Sequence, residues 1–493
     1  MSAPTLAVRP VSATLTLSPA VWLALGLALQ VAVGMRYSLA PLAWIAPVPM
    51  LLFLRQTDGW RSRGLFVAGM TLAAVLQVAK IVTDPVPWVL ALGFGAPSGF
   101  GVGLIYIAFE AVRRRVGDAW GLALFPAVVI TADWLGYAAS SSGVWGSLAN
   151  TQLDALPLLQ VVSLVGITGV SGLMAAVAAV LAVTVATGRL PVRAAGATAA
   201  LLVLVSAFGT WRLDSADDGP TVRVAGVVTD LVLAGSRMPS DAELAEGTDV
   251  LFERSHDAVN QGAELVVWNE GATAVWPDQE DGLVARGAAF AAETGADLVL
   301  AYIVIEHTDP LQFANRLVVV GPEGPVQTYD KREPAPGEPS AGSAVAFQPV
   351  QRPWGILGAA ICYDFDFPAI GRSNAGAGVV AVPSSDWRGI DPLHGRMASV
   401  RAIESGYAMI RPVRWATTLA TDAHGRVRGA ATWSSGDRIL VADVPVTPVP
   451  TVYASIGDVL PGSALGVVLW VLVLAARRRD TSASPSGWLF THR

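Results

Sequence analysis

Charge, cysteine and lysine are all scarce in this sequence of 493 residues. Only 15% of its residues are charged and 53% are hydrophobic, whereas soluble domains carry about 25% charged residues. That balance excludes a wholly soluble chain, and the same apolar excess excludes intrinsic disorder. A single cysteine, Cys362, excludes an intramolecular disulfide framework. The net charge of -6 offers no overall attraction to nucleic acid. The five histidines (His256, His307, His394, His424, His492) are scattered without metal-ligand spacing. No phosphate-cradling glycine loop follows a strand, despite 49 glycines. Neither a metal nor a cofactor is therefore expected. Of 33 basic residues only Lys80 and Lys331 are lysines.

What is present divides sharply along the chain. Residues 1–213 hold six acids (Asp58, Asp84, Glu110, Asp118, Asp133, Asp154), while 222–455 hold 28 acids against 17 basic residues. Apolar runs lie near 19–35, 38–54, 64–83, 88–111, 119–138, 156–187 and 194–211, with one more at 459–476. Most approach the roughly 20 residues that span a bilayer. These predict seven helices, a globular domain, and an eighth helix. The first run lacks a small-residue cleavage site after it, unlike a signal peptide.

Basic residues test that count. With a cytoplasmic N-terminus, the cytoplasmic segments hold 13 of them: Arg9, Arg55, Arg61, Arg63, Arg113, Arg114, Arg115, Arg189, Arg193, Arg477, Arg478, Arg479 and Arg493. The opposite loops between spans hold only Arg36 and Lys80. This alternation follows the positive-inside rule and predicts that 222–455 lies outside the cytoplasm. The expected divisions are a membrane domain over 1–217, a catalytic-type domain over 218–450, a helix over 451–480 and a cytoplasmic tail over 481–493. Asp133 and Glu110, as intramembrane acids, mark polar positions inside the bundle.

Within the outer segment, short β-rich runs alternate with helical stretches. The runs are 222–228, 264–268, 297–305, 315–320, 355–361, 378–382 and 408–413; the helices are 241–260, 281–293 and 392–405. Gly321-Pro322-Glu323-Gly324 and Asp422-Ala423-His424-Gly425 read as turns. The pattern predicts an α/β layered domain.

Three residues carry the chemistry. Cys362 ends an apolar strand, where a thiolate can be presented to an acyl carbon; a buried core cysteine is the plain alternative. Lys331, a lysine where nearly every other basic position is arginine, supplies a compact ammonium for a developing oxyanion. Glu270 closes the run 264–268, where an apolar setting suits a general base.

In chain order these residues resemble the Glu–Lys–Cys triad of the nitrilase superfamily. The matching segments are Val266-Val-Trp-Asn-Glu270, Tyr329-Asp-Lys331 and Gly358-Ala-Ala-Ile-Cys-Tyr-Asp364. The seven-plus-one topology is further similar to the apolipoprotein N-acyltransferase family, the membrane-embedded branch of that superfamily. Trp145-Gly-Ser-Leu-Ala-Asn-Thr-Gln152, Ser384-Ser-Asp-Trp387 and the series His394, Arg401, Glu404, Arg411 extend the likeness.

The resemblance implies an αββα sandwich and a ping-pong reaction at a bacterial-type plasma membrane. Cys362, deprotonated by Glu270, would take an acyl chain from a phospholipid, and a lipoprotein's terminal amine would accept it. Lys331 would stabilise the oxyanion, and Glu338 matches the family's additional glutamate. Tyr363 and Asp364 match positions after the nucleophile, and Trp387 is expected in the pocket wall. A monomer is expected. The chain departs from the family pattern at Asn269, in place of proline, and at Asp364, in place of glutamate. It departs also in the 225–232 strand and in the close spacing of Lys331 and Glu338. A membrane-tethered amidase using the same triad with water as acceptor is the competing function; a non-catalytic scaffold is the third.

Overall fold

The computed structural model describes residues 17–217, 219–233 and 238–481, with side chains to 478. Arg9, Arg493 and the tail from 482 onward lie outside the described residues. Among the described residues, six helices are long and apolar enough to cross a membrane: Trp60–Ala79, Val89–Val116, Asp118–Ala138, Ile167–Thr187, Val192–Asp214 and a C-terminal one within Val459–Thr481. With Pro19–Ala32 and Pro47–Gln56 ahead of them, these make a multi-pass helical bundle. Trp60, Trp88, Trp211 and Trp470 are exposed on its periphery, as side chains facing lipid would be.

The first two apolar runs do not form full-length helices, and the reasons are local. Pro19–Ala32 has 14 residues, about 21 Å at 1.5 Å per residue. It stops because Gly34, Met35 and Tyr37 take positive φ (77°, 54° and 59°). The run 38–54 is broken at 44–46 between a helical turn Ala40–Ala43 and Pro47–Gln56. Pro41 and Pro47 each sit in a first turn, where a missing N–H costs nothing. The run 156–187 is likewise interrupted at Gly166, φ 72°, before its long helix begins.

Elsewhere small residues permit close packing. Gly95, Gly99 and Gly103 recur at every fourth position of Val89–Val116. A Cβ at Gly99 would lie 2.5 Å from the Met70 carbonyl oxygen, and one at Gly95 2.6 Å from Val75 Cα. This small-xxx-small face brings Val89–Val116 against Trp60–Ala79. The intramembrane acids are both satisfied. Glu110 pairs with Arg113 and Arg114, each at 2.7 Å. Asp133 accepts from Ser147 at 2.7 Å and Ser171 at 2.5 Å.

The remaining chain forms two stacked sheets. The first contains β1 (Thr221–Val227), β2 (Leu265–Trp268), β3 (Ala274–Val275), β4 (Asp297–Thr308), β5 (Leu311–Gly321), β6 (Gly324–Asp330) and the late strand Ile439–Pro445, in the order late strand-β1-β2-β4-β5-β6, with β3 on β4. The second contains β7 (Val350–Arg352), β8 (Gly355–Ala359), β9 (Val379–Ala381), β11 (Ala408–Arg411), β13 (Thr417–Thr421) and β14 (Val427–Thr432), in the order β14-β13-β11-β9-β8-β7. A parallel pair, β10 (Ser384–Ser385) and β12 (Val413–Arg414), continues beyond it. Val224, Val267, Val299, Leu357, Val379 and Ile410 share one core between the sheets. Helices Asp241–Asn260 and Glu280–Thr294 pack on the first sheet, and Leu393–Ser405 on the second, completing αββα layers. Ser240 and Glu243 form a capping box that starts the first of these helices.

Candidate active site

Parallel strands leave their carboxyl ends along one edge, and ligands in α/β sheets bind there. Glu270 follows the end of β2, Cys362 follows β8, and Lys331 follows β6 directly. The fold thus collects three residues that the sequence separates by 61 and 31 positions.

Lys331 is 2% exposed and lies between two carboxylates, with Nζ 2.7 Å from Glu270 Oε1 and 2.6 Å from Glu338 Oε2. Burial alone would lower its pKa, but the Glu270 and Glu338 charges outweigh that and hold it well above its ordinary value. Glu338 also accepts from Ala335 N at 2.9 Å and Ser340 Oγ at 3.0 Å. Burial opposes its ionisation, yet Lys331 and its hydrogen bonds keep it below the usual carboxylate range. Asn315 on β5 completes the set, its Nδ2 donating to Glu270 Oε1 and Glu338 Oε1 at 2.8 Å each. Sequence reading missed Asn315, because a polar residue in an alternating strand gives no signal.

The cysteine is presented under strain. Cys362 has φ +46°, a conformation that costs a non-glycine residue on the order of 1–3 kcal/mol and persists where surroundings enforce it. Its N–H donates to the Pro383 carbonyl at 2.8 Å, and Sγ lies 3.9 Å from the Ser385 carbonyl. Burial and the Glu270 charge push the thiol pKa well up, against the opposing pull of Lys331. The buried setting thus favours the neutral thiol over the thiolate at Cys362.

Asp364 enforces the elbow. It accepts from Ile361 N (2.9 Å), Tyr329 Oη (2.7 Å), Arg332 N (3.1 Å) and Glu333 N (2.8 Å). One carboxylate thereby ties the segment after Lys331 to the segment bearing Cys362. Burial raises its pKa to about 6 despite those bonds. Asn269 has a parallel job: its Oδ1 accepts from Thr229 N at 2.8 Å and its Nδ2 donates to the Glu270 carbonyl at 2.9 Å. The Asn269 side chain thus fixes the backbone on either side of itself, next to Glu270.

Tyr363 and Trp387 join the domain to the bundle. The Tyr363 hydroxyl donates to the Ser141 carbonyl at 2.7 Å, and the Trp387 indole N–H donates to the Ile81 carbonyl at 2.6 Å. A further contact runs from Trp145 Nε1 to Asp366 Oδ2 at 2.9 Å. A cavity of about 420 Å3 inside the bundle reaches from Tyr106 and Phe125 to Trp145, Leu393 and Met397. That volume lies within the range of small-ligand pockets.

Behind the cysteine lies a buried network. His394 Nδ1 is 2.8 Å from Asp386 Oδ1 and Nε2 is 3.2 Å from Asp366 Oδ2, while Arg411 Nη2 donates to both Asp386 oxygens at 2.8 and 3.0 Å. Burial opposes the imidazolium, but Asp366 and Asp386 raise the His394 pKa to about 9. Cys362, Asp386 and His394 bring ligand-type atoms within 4.8 Å of one another. Arg411 Nη2, 2.9 Å from His394 Nδ1, places a cation in that space and opposes a metal ion. Arg414 was also missed. Its Nη2 donates to Ser385 Oγ at 3.1 Å, and β10 and β12 pair these two residues in register.

A strained cysteine beside a lysine held by two glutamates, on an αββα sandwich carried by a helical bundle, defines a membrane-embedded member of the nitrilase superfamily. Comparison with known proteins agrees. Residues 11–180 match the apolipoprotein N-acyltransferase N-terminal domain, and 233–450 match the carbon-nitrogen hydrolase domain. The chain is 26% identical to the apolipoprotein N-acyltransferase of Geobacter metallireducens, covering 90% of this chain and 92% of that one. It is also 26% identical to that of Gloeobacter violaceus, over 85% and 86%. Among solved structures it is similar to an amidase from Nesterenkonia sp., at 18% identity over 51% of this chain and 98% of that one, with a TM-score of 0.41. The chain belongs to the apolipoprotein N-acyltransferase family.

Proposed function

We propose that the protein transfers an acyl chain from a phospholipid to the N-terminal amine of a diacylglyceryl-cysteine lipoprotein. In this reading residues 218–450 form the catalytic domain. Residues 1–217 and 451–480 hold it, as a monomer, on the outer face of a plasma membrane. The observation that carries the reading is the buried Glu270–Lys331–Glu338 set beside a cysteine at φ +46°.

Glu270 removes the Cys362 proton as Sγ attacks the ester carbonyl. Lys331 Nζ neutralises the oxyanion, and being buried it does so without solvent screening. The C–O bond breaks, the lysophospholipid oxygen takes the proton from Glu270, and an acyl thioester remains. The acceptor amine then attacks that carbonyl, Glu270 takes its proton, and the C–S bond breaks. The thiolate recovers the proton, and an amide is released. Glu338 and Asn315 hold Glu270 and Lys331 in place throughout.

A lipid donor is favoured over a water-soluble amide by the intramembrane cavity that ends against Leu393 and Met397 of the catalytic domain. Incubation with isotope-labelled phospholipid should yield an acyl thioester on Cys362, detected by mass spectrometry and absent from Cys362→Ala. Hydrolysis of a small amide with no acyl-enzyme from phospholipid would sink this proposal in favour of an amidase.

A further inference from the structure

A second cavity, of about 480 Å3, lies where the 33–39 loop of the bundle meets the catalytic domain. Arg36, Arg388, Asp391, Trp415, Trp433 and Arg438 line it. Its charges are unequally matched. Arg438 is answered by Asp230 at 2.6 Å, and Asp391 accepts from Thr417 N at 2.9 Å and Oγ1 at 3.2 Å. Arg36 and Arg388 have no carboxylate within ion-pair distance among the described residues. Two unanswered guanidinium groups therefore border one space.

Both walls are held in unusual backbone conformations. Met35 and Tyr37, on either side of Arg36, have φ 54° and 59°, and Trp415 opposite has φ 66°. A Cβ disfavours such angles, so strain of this kind points to a site. The Arg36 loop is tied down from the neighbouring helix. Lys80 Nζ donates to the carbonyls of Val31 (2.9 Å) and Gly34 (2.7 Å), and Gln77 donates to that of Val33 (2.8 Å).

A short series of contacts links this cavity to the nucleophile. Arg414 lies over the Trp415 ring at 4.4 Å, donates to Ser385 Oγ at 3.1 Å, and the Ser385 carbonyl is 3.9 Å from Cys362 Sγ. We propose that Arg36 and Arg388 clamp the phosphate of the acyl donor's headgroup while its ester lies at Cys362. This rests on the acyl-transfer reading above. Guanidinium forks match phosphate oxygens in two-point geometry, and two cations together with an occupied carboxylate attract a monoanionic phosphodiester. Trp415 and Trp433 supply flat walls for the rest of the headgroup. The same chemistry accommodates inorganic phosphate.

The test uses full-length Cys362→Ala protein in nanodiscs, which binds without turnover. Titration with phosphatidylglycerol and with diacylglycerol is followed by native mass spectrometry. Adding Arg36→Gln and Arg388→Gln should weaken phosphatidylglycerol binding at least tenfold, about 1.4 kcal/mol, and leave diacylglycerol binding unchanged. The Arg36→Lys, Arg388→Lys pair should restore part of the loss, which a general folding defect would not allow. Equal losses for both lipids, or no loss, overturn the assignment. Inorganic phosphate should compete with phosphatidylglycerol only weakly; if it binds as tightly as the lipid, the site serves free phosphate and the headgroup assignment falls. Thioester formation is measured separately on the intact cysteine. Its absence would sink the catalytic reading, whereas headgroup-dependent binding stands or falls by itself.

Discussion

At the residue scale, Asp364 separates activity from stability in their response to pH. Four donors converge on its carboxylate and hold the Cys362 elbow to the segment after Lys331. Protonation removes acceptor capacity, so activity should fall as pH drops through about 6. Stability moves the other way. The folded pKa is raised above the unfolded value of 3.8, so this group's contribution is fully present below pH 3.8 and lost as pH rises through 6. A shift of two units corresponds to about 3 kcal/mol. An acid limb near pH 6 in the acylation rate, moved or abolished in Asp364→Asn, checks the first. Denaturation profiles of wild type and Asp364→Asn between pH 4 and 7 check the second. An acid limb unchanged in the variant would mean that another group controls the rate.

The members of the proposed triad, which the fold brings together, could be picked out by residue type because each is chemically out of place: one cysteine, one of two lysines, one glutamate closing an apolar strand. Asn315 and Arg414 were not legible. Each acquires its role from a partner elsewhere in the chain, Glu270 and Ser385 respectively, and no local pattern marks either residue.

At the scale of elements, helices and strands with clear periodicity were readable, and the interruptions were less so. The run 38–54 has span-like composition, yet Pro41 and Pro47 divide it, and strain at Met35 and Tyr37 ends the run before it. Hydropathy averages over such breaks. Two-residue strands such as β3, β10 and β12 also escape periodicity, because they exist only through their neighbours. The contact between Val89–Val116 and Trp60–Ala79 gives a prediction here. Gly99→Val inserts a side chain where even a Cβ meets backbone at 2.5 Å, and overpacking typically costs about 1–3 kcal/mol. Thermal unfolding in detergent should show a lower midpoint for Gly99→Val. Gly101→Val, where nothing lies within 4 Å, should behave nearly as wild type. Equal effects of the two would remove the helix contact as the cause.

At the scale of the whole molecule, the single cysteine makes the proposed topology testable. Cys362→Ser leaves a chain without cysteine, into which single cysteines are placed at the exposed positions Gly282 and Arg61. In intact cells an impermeant maleimide should label residue 282 without permeabilisation, and residue 61 only after it. The reverse pattern would place the catalytic domain in the cytoplasm. The bundle and domain are joined by direct bonds at Ile81, Ser141 and Trp145, so orientation of one fixes orientation of the other.

Gly143 gives that union an inheritance. A Cβ at this position would sit 2.7 Å from the Asp366 carbonyl oxygen, four residues beyond Cys362, while Trp145 bonds the Asp366 side chain. Neither segment can drift alone: a substitution in 143–145 displaces the elbow, and one in 363–366 loses its seat. Chimaeras that exchange the membrane half between relatives are therefore expected to lose acylation activity, and assays of such chimaeras should show it restored by paired changes across this seam.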